Sequence, residues 1–456
     1  MSFPRYPKYK ASGVEWLGDV PEHWEVKRIR HCLQRMSSGG TPESGRAEYW
    51  SSEEGGEAIP WVSIGDMTRN STVVATDRSV TRLGLESKQL EVFPVGTLLY
   101  SMYASLGKVA QLGVPAAVNQ AILALQAEPT STDRSFLRHW LGFLEPTLGY
   151  FASSNTQENL NAAKVRSLPL ALPPLPEQRA IAAFLDRETA KIDGLVAEQQ
   201  RLIELLKEKR QAVISHAVTK GLDPKAPMKP SGFEWLGDVP AHWEVRRLKT
   251  VIRSIEQGWS PQCEGEPAID GGWGVLKVGC VNGDHFDPEE NKAVPEDLMV
   301  PSNLEVHAGE VLMSRGNTTE LVGMAGLVVP SAARLLLSDL LYRVEFLQEG
   351  AHAPFAVHLL RSGPARFQIR RDATGTSASM KKIAQSDIRE LLLAFPPLSE
   401  QQAIAAFLDR ETSRIDGLVK EAEAAVTLLQ ERRSALISAA VTGQIDVRNA
   451  TTTEAA

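Results

Sequence analysis

A long internal repeat constrains this chain more than any other feature. The segment SGVEWLGDVPEHWEVKRI at residues 12–29 returns almost unchanged as SGFEWLGDVPAHWEVRRL at residues 231–248. A second block, residues 173–220, returns as residues 396–443. Solenoid repeats have periods of about 20 to 50 residues, so a period this long predicts a duplicated domain together with its connector.

The segments between the matched blocks have diverged. Residues 30–172 and 249–395 are similar in length, yet they do not align readily with each other. This pattern predicts that the repeated blocks do one job twice while each insert meets a different target. The alternative is drift after duplication without functional pressure, although drift should also have eroded the blocks.

The repeated blocks that start at 173 and 396 predict two long helices. Each runs about 45 residues, roughly 65 Å, without an internal proline, and a glycine marks its end at Gly221 or Gly443. Apolar residues recur at steps of three, four and seven, which is typical of a coiled-coil seam. An ordinary amphipathic bundle helix is the alternative. The predicted seam consists of Ile181, Leu185, Ile192, Leu195, Leu202, Leu206 and Val213 in the first helix, and Ile404, Leu408, Ile415, Leu418, Leu429 and Leu436 in the second.

The two inserts have the pattern of mixed α/β domains. Short strands are predicted at 58–64, 96–101 and 108–111 and a helix at 135–144, with comparable elements at 275–278, 309–314, 321–329 and 353–361. The predicted fold class is α+β, with two tandem mixed α/β domains in pseudo-twofold arrangement, separated by two long helices that form an antiparallel coiled coil. The predicted parts are an N-terminal repeated framework segment (1–29), the first insert (30–172), the first long helix (173–221), a linker with the second framework copy (222–248), the second insert (249–395), the second long helix (396–443) and a flexible C-terminal tail (444–456).

Composition excludes several classes of protein. The 456 residues carry a formal net charge of -7, so any contact with nucleic acid must be local. No stretch approaches the roughly 18 apolar residues of a membrane span, and no secretory signal follows the N-terminus, which predicts a cytoplasmic protein. Cys32, Cys263 and Cys280 form no C-x-x-C pair, so we expect reduced, structural cysteines and no metal site.

Sequence motifs for catalysis are absent. The chain has no G-x-x-x-x-G-K-[ST] phosphate loop, no Asn-Pro-Pro-aromatic motif of base methylation, no H-E-x-x-H and no G-x-S-x-G. We therefore predict no catalytic residues and no cofactor in this chain. His23 and His242, in the repeated Pro-x-His-Trp-Glu motif, are expected to pack with Trp24 and Trp243.

Recognition remains as the function that the residues favour. Clustered Lys and Arg neutralise phosphates, and Arg, Asn, Gln and Ser on loops read base edges. For any single candidate a solvated loop residue is an equally good interpretation, so only the set has weight. The DNA-binding candidates are Lys27, Arg28, Arg30, Arg35, Ser101, Tyr103, Asn119, Gln120, Gln157 and Asn159 in the first half, and Arg246, Arg247, Lys249, Arg315, Asn317, Thr318, Ser377, Ser379, Lys381 and Lys382 in the second, where Arg366, Arg370 and Arg371 add to the basic cluster.

The doubled EWLGDVPxHWEV opening and the doubled PPLxEQxAIAxFLD helix start resemble the specificity subunit of type I restriction-modification systems. The likeness covers nearly the whole chain. It implies that residues 30–172 and 249–395 are target recognition domains, each binding one half of a bipartite, asymmetric DNA target. It also implies that the helices are a spacer between the half-sites and that the subunit is not itself catalytic.

The resemblance further implies the partners. They are double-stranded DNA, two modification (methyltransferase) subunits and two restriction (endonuclease/translocase) subunits, and S-adenosylmethionine, magnesium and ATP would belong to those subunits. The spacer helices and residues 177–187 and 400–410 are candidates for docking the modification subunits. Two alternatives stay open, namely a self-contained endonuclease or methyltransferase with an unfamiliar site, and a coiled-coil adaptor or inactive relative without DNA sequence specificity.

Overall fold

The chain divides into two compact units. A computed structural model describes residues 3–51, 58–103, 105–150, 160–263, 265–269, 271–377 and 380–450. The first unit comprises Met1–Gln200 with Ala424–Ala456, and the second comprises Arg201–Glu423. Each unit therefore holds one framework copy, one insert and part of each long helix, rather than leaving the helices as separate domains.

The first unit is built on two sheets. The strands are Tyr9–Ala11 (β1), Asp19–Pro21 (β2), Glu25–Arg28 (β3), Leu33–Ser38 (β4), Trp50–Ser51 (β5), Ile59–Val62 (β6), Thr72–Val73 (β7), Arg78–Val80 (β8), Leu98–Ser101 (β9), Val109–Leu112 (β10), Ala117–Val118 (β11), Ile122–Ala127 (β12) and Pro169–Leu172 (β13). A five-stranded sheet has the order β4-β12-β9-β10-β7, a four-stranded sheet has the order β11-β6-β8-β5, and β3 pairs with β13 where the insert begins and ends. The helices are Ile64–Arg69 (α1), Arg82–Lys88 (α2), Arg134–Leu144 (α3), Ala162–Ser167 (α4) and Leu175–Lys220 (α5), the last continuing into the second unit.

The second unit repeats the central part of this plan. Its strands are Met228–Pro230 (β14), Asp238–Pro240 (β15), Glu244–Arg247 (β16), Ile252–Gln257 (β17), Trp273–Leu276 (β18), Asn291–Ala293 (β19), Val311–Ser314 (β20), Gly316–Asn317 (β21), Ala325–Leu327 (β22), Arg334–Leu336 (β23), Leu341–Phe346 (β24), Thr374–Ser377 (β25), Met380–Lys382 (β26) and Leu392–Phe395 (β27). The four-stranded sheet β17-β24-β20-β22 has the same order as β4-β12-β9-β10, although the two inserts do not align readily in sequence. The helices are Ala353–Arg361 (α6), Gly363–Asp372 (α7), Gln385–Glu390 (α8) and Leu398–Val441 (α9).

The predicted fold class is confirmed in its main elements. Mixed α/β domains alternate with two long helices of 46 and 44 residues. Both helices stop at a glycine with positive φ, 78° at Gly221 and 74° at Gly443, a conformation that a residue with a Cβ adopts only at a cost. Among the described residues, no helix combines the length and apolarity needed to cross a membrane.

Within each unit the two long helices lie antiparallel. In the first unit, Asp193 of α5 pairs with Arg433 of α9, and the start of α5 packs against the end of α9 in one core. In the second unit, Arg210 pairs with Asp416, and the end of α5 packs against the start of α9. Along α5, one line of buried or half-buried positions follows alternating steps of four and three, through Leu185, Thr189, Ile192, Val196, Gln199, Ile203, Leu206 and Arg210.

The prediction of the coiled-coil seam was wrong at three residues. Leu195, Leu202 and Leu418 are 47%, 42% and 42% exposed. A seam alternates steps of four and three, and after Ile192 the next step is four, so the buried line passes through the neighbouring residues. Of the other predicted residues, Ile181, Leu185, Ile192, Leu206, Ile404, Leu408 and Ile415 are buried and Val213, Leu429 and Leu436 are half-buried.

The start of the predicted flexible tail is packed. Over residues 444–450, the Asp446 amide donates to the Pro4 carbonyl at 2.7 Å, and Val447 is 2% exposed. The Arg448 guanidinium lies 5.0 Å from the centre of the Tyr6 ring. These contacts tie this segment to the N-terminal residues of the first unit, which sequence separation concealed.

Candidate nucleic-acid interface

Equivalent serines brace the same hairpin in both inserts. The Ser101 hydroxyl accepts from the Lys108 amide at 3.0 Å and donates to the Ser105 carbonyl. The Ser314 hydroxyl donates to the Leu321 carbonyl at 2.8 Å. Both serines are fully buried. Ser101, predicted as a base reader, is therefore a turn-bracing residue, because its hydroxyl is already committed inside the hairpin.

In the first insert, the candidates Tyr103, Asn119 and Gln120 lie on two neighbouring loops. The Met102 amide donates to the Ala121 carbonyl at 2.8 Å, which joins the end of β9 to the turn before β12. Tyr103, on the first loop, is 39% exposed. On the second loop, Asn119 accepts from the Ala121 amide at 2.7 Å and so holds the turn, whereas Gln120 is exposed and accepts from the Thr41 hydroxyl.

Two first-insert candidates, Gln157 and Asn159, lie outside the described residues, as does Ser379 in the second insert. Ser377 belongs to β25, but its side chain is not among those described.

In the second insert, the candidates gather on one small sheet. Gly316 pairs with Lys382 and Asn317 with Lys381 where β21 meets β26. Asn317 is 9% exposed and donates to the Asn282 side-chain oxygen at 2.8 Å, so it positions the loop rather than facing solvent. Lys382 and Thr318 are exposed. Arg315, just before β21, donates to the Asp339 carbonyl at 3.3 Å.

The predicted basic residues at the end of the first framework segment and the start of the first insert have partners of their own in the fold. Lys27 pairs with Glu25 at 2.5 Å, and Arg28 donates to the Ser167 carbonyl at 2.8 Å. Arg35 pairs with Glu91 at 2.6 Å. The Arg30 guanidinium donates to the ring of the adjacent His31 at 3.0 Å.

The second copy repeats this arrangement. Arg247 and Lys249 both pair with Glu390 of α8, Lys249 at 2.7 Å. The Arg246 guanidinium lies 5.1 Å from the centre of the Phe395 ring. β3 and β16 pair with the strands that directly precede the long helices. These cations therefore stabilise the junction between each insert and its helix. Their clustering in the sequence did not show this role.

A repeated glutamate connects the framework to the long helices. In the first copy, Glu177 accepts from the His23 ring at 2.8 Å and from the Trp24 indole at 2.9 Å. In the second copy, Glu400 accepts from His242 at 2.7 Å and from Trp243 at 3.1 Å. The His-Trp pair of the repeated motif thus holds the start of each long helix to its framework segment through hydrogen bonds to one glutamate.

One arginine outside the predicted set positions the loops of the second insert. Arg361, at the end of α6, donates to the carbonyls of Ala325 at 2.7 Å and Val281 at 2.9 Å, and burial lowers its pKa. Arg366 donates to the Val322 carbonyl at 2.6 Å, and burial, aided by the charge of Arg370, lowers its pKa to about 10. The Ser-Gly-Pro segment that directly follows Arg361 was the available sequence signal that this arginine ends a helix.

The cysteines are free, and burial raises the pKa of Cys32 and Cys280. In the part of the chain that the structure describes, no group of three or more His, Cys, Asp or Glu side chains is placed to hold a metal ion.

Residues 21–205 and 240–427 match the model of the type I restriction modification DNA specificity domain. The chain belongs to the type I restriction-modification specificity subunits. It is 23% identical to the putative type I restriction enzyme MjaX specificity subunit of Methanocaldococcus jannaschii, over 95% of this chain and 96% of that protein. It is 27% identical to the EcoEI specificity subunit of Escherichia coli, over 45% of this chain and only 35% of that protein. The match to the EcoKI specificity subunit of Escherichia coli, 24% identical, covers 63% of this chain and 60% of that protein.

Two solved structures share the fold. A chain solved in work on complex assembly and conformational transition of the type I R-M system has a TM-score of 0.67 at 17% identity, over 92% of this chain and 98% of that one. The HsdS subunit from Thermoanaerobacter tengcongensis has a TM-score of 0.50 at 16% identity, over 93% of this chain and 98% of that one. Membership of this family supports a DNA sequence-specificity role for the chain.

Proposed function

We propose that this subunit recognises a bipartite, asymmetric DNA target and directs methyltransferase and endonuclease subunits to it. The observation that carries the proposal is that the two inserts carry different side chains at equivalent loop positions of their matching sheets. The Met102 backbone amide donates to the Ala121 carbonyl, in the turn before β12, the neighbouring strand of the sheet. The Arg315 backbone amide donates to the Leu340 carbonyl, in the turn before β24. The side chain that follows β9 or β20 therefore differs in chemistry while its place in the fold is the same.

The neighbouring turn differs in the same way. Gln120 accepts from Thr41 in the first insert, and Asp339 accepts from Ser260 at 2.5 Å in the second. In the major groove, glutamine pairs with adenine, arginine with guanine and carboxylates with cytosine. Two inserts with the same sheet and loop positions but different side chains on those loops are suited to binding two different DNA half-sites.

The repeated blocks supply the common part of the function. Each helix start is bolted to a framework copy, and each unit contains a segment of the antiparallel helix pair. A continuous helix has a constant rise of about 1.5 Å per residue, so its length is suited to setting the gap between half-sites.

The chain acts as a non-catalytic subunit in this proposal. Two modification subunits would bring S-adenosylmethionine, and two restriction subunits would bring the nuclease and ATP-driven translocase activities with their magnesium and ATP, so this chain needs no cofactor. Docking of the modification subunits would use the exposed helix faces that recur in both copies, such as Leu195 and Leu418. The predicted docking segment 177–187 begins with Glu177, which is 7% exposed and therefore unavailable to them.

The test is a swap of one insert. We would express the chain with its modification subunit and map methyladenine at single-base resolution, first with the natural chain and then with residues 30–172 replaced by the first insert of a relative. One half-site should change while the other is retained. The matched control replaces residues 249–395 and should change the other half-site. A change of both half-sites in each swap, or methylation that does not depend on this chain in an assembled complex, would contradict the proposal.

The spacer is tested separately. Insertion of four residues after Ile203, about one helical turn, together with four residues at the facing position of α9, should lengthen the gap between methylated half-sites. Retention of the original gap would show that the helices do not set it. Methylation or cleavage by the purified chain alone, with S-adenosylmethionine, magnesium and ATP, would instead favour a self-contained enzyme.

A further inference from the structure

One segment differs in charge between the two inserts more than in length. Residues 362–384 connect α6 to α8 and contain five basic residues and one acidic residue. The equivalent residues 145–161 connect α3 to α4 and contain two acidic residues and no basic residue. The connection in the first insert, residues 145–161, therefore carries a charge of -2. The connection in the second insert, residues 362–384, carries a charge of +4, in a chain whose net charge is -7.

The cations of the second connection lie on a helix and an adjoining hairpin. Arg370 and Arg371 are 45% and 55% exposed at the end of α7. Lys381 and Lys382 belong to β26, which pairs with β25 directly after that helix. We call these four residues the basic surface.

The turn that contains Glu320 and Val322 connects the basic surface to a buried arginine. Arg370 pairs with Glu320 at 2.8 Å, in the turn between β20 and β22. Arg366, 7% exposed, holds the same turn through the carbonyls of Val322 and Glu320, at 2.6 and 2.9 Å. Carbonyl acceptors carry no net charge, so these bonds do not neutralise Arg366.

The ion pairs of the basic surface are exchangeable. Arg370 pairs with Glu320, which is 70% exposed, and Arg371 with the adjacent Asp372. Exposed pairs of this kind contribute little to stability, so a phosphate can replace the carboxylate at small cost. Beside them lies a groove of about 640 Å³ whose lining includes Phe367, itself 50% exposed.

We propose that the basic surface binds the phosphate backbone of one DNA half-site and that the first insert has no equivalent anchor. This inference rests on the proposed DNA-binding function and deepens it. Each phosphate contact releases condensed counterions, so binding through this surface has a steep dependence on salt. The half-site read by the first insert is held with a weaker dependence on salt, because its equivalent connection is acidic.

The experiment measures the dissociation constant for target DNA as a function of salt, using the chain assembled with its modification subunits. The variant Arg370→Gln, Arg371→Gln, Lys381→Gln, Lys382→Gln removes four charges from exposed or half-buried positions. The slope of log Kd against log salt should fall by about 0.9 for each lost phosphate contact, and affinity should fall equally for all sequences of that half-site. The matched control, Lys207→Gln with Arg414→Gln on the long helices, should leave the slope unchanged.

Two further arms separate the possible failures. The charge-preserving variant Arg370→Lys, Arg371→Lys should keep the natural slope, whereas a loss of slope there would show that the geometry of the fold has been disturbed and would overturn the proposal. An unchanged slope in the four-residue variant, with specific binding intact, would overturn the anchor and leave the proposed function standing. If the natural complex shows no sequence preference, the proposed function itself fails.

Discussion

Arg210 of one long helix lies 2.9 Å from Asp416 of the other, and the pair has an equivalent in the other unit. There, Arg433 lies 2.8 Å from Asp193. The repeat of residues 173–220 in 396–443 places Asp193 opposite Asp416 and Arg210 opposite Arg433 in the alignment. The equivalent pairs differ in burial, because in the second unit Asp284 of the insert also reaches Arg210, at 3.0 Å.

This difference predicts unequal effects of equivalent substitutions. Asp416→Asn removes a charge partner of Arg210, whose side chain is 9% exposed, and should destabilise the second unit by about 2 kcal/mol. Asp193→Asn removes the partner of Arg433, which is 39% exposed, and should cost at most about 0.5 kcal/mol. Hydrogen exchange of the α9 and α5 amides near each site measures both effects. Equal loss of protection would contradict the assignment.

The position of the seam predicts different effects for two adjacent residues. Ile203 is 8% exposed, so Ile203→Ala should cost about 2 to 4 kcal/mol. Leu202 is 42% exposed, and Leu202→Ala should change stability by no more than about 0.5 kcal/mol. Denaturation midpoints of the two variants give the comparison. A larger effect at Leu202 would restore the seam predicted from the sequence.

The glutamate hydrogen bonds between each framework segment and its long helix predict unequal losses of stability when the glutamate is replaced. Glu177→Gln keeps an acceptor but turns an amide group toward one of two donors, the indole of Trp24 or the ring of His23, and should cost about 2 kcal/mol. Glu400→Gln should cost less, because the Glu400 side chain is 28% exposed and that of Glu177 is 7% exposed. Limited proteolysis near each framework copy reports the loosening. The opposite ranking would show that burial does not control these bonds.

The second unit should lose stability in mild acid. Burial, together with the charges of Arg361 and Arg210 and against the opposing charge of Asp409, lowers the pKa of His358 to about 4. In the unfolded chain this histidine titrates near 6.5, so between those values the unfolded state binds more protons. Stability should therefore fall as pH drops from about 6.5 to 4, by at most about 3 kcal/mol.

The control for this pH dependence is His358→Gln, which removes the titrating group. Unfolding of the second unit, followed by hydrogen exchange at several pH values, should then lose most of its dependence in that window. An identical profile in the variant would assign the acid sensitivity to other groups.

Several elements could be predicted from sequence because their signals are local. The strands predicted at 96–101 and 309–314 form as Leu98–Ser101 and Val311–Ser314, and the helix predicted at 353–361 forms with those bounds. The seam was harder to predict, because leucine at 195 and 202 is more apolar than valine at 196. Burial there depends on the partner helix and not on the residue alone.

The candidate site shows the same division. Lysine and arginine near each framework copy predicted a basic patch, yet Lys27 and Lys249 pair with carboxylates of their own unit. Ser101 looked like a loop reader and is buried in a hairpin turn. Among the described candidates, Lys381 and Lys382 lie with Asn317 on one small sheet.

The sequence by itself determined that this protein is a duplication with two long helices and two divergent inserts, because repetition and periodicity can be recognised from the order of residues. Only the tertiary structure decided that the inserts share a sheet, which leucines form the seam and which cations remain exposed. These properties depend on burial and charge pairing between residues far apart in the chain. Arg210 and Asp284 illustrate the point, since 74 residues or more separate them from each other and from Asp416.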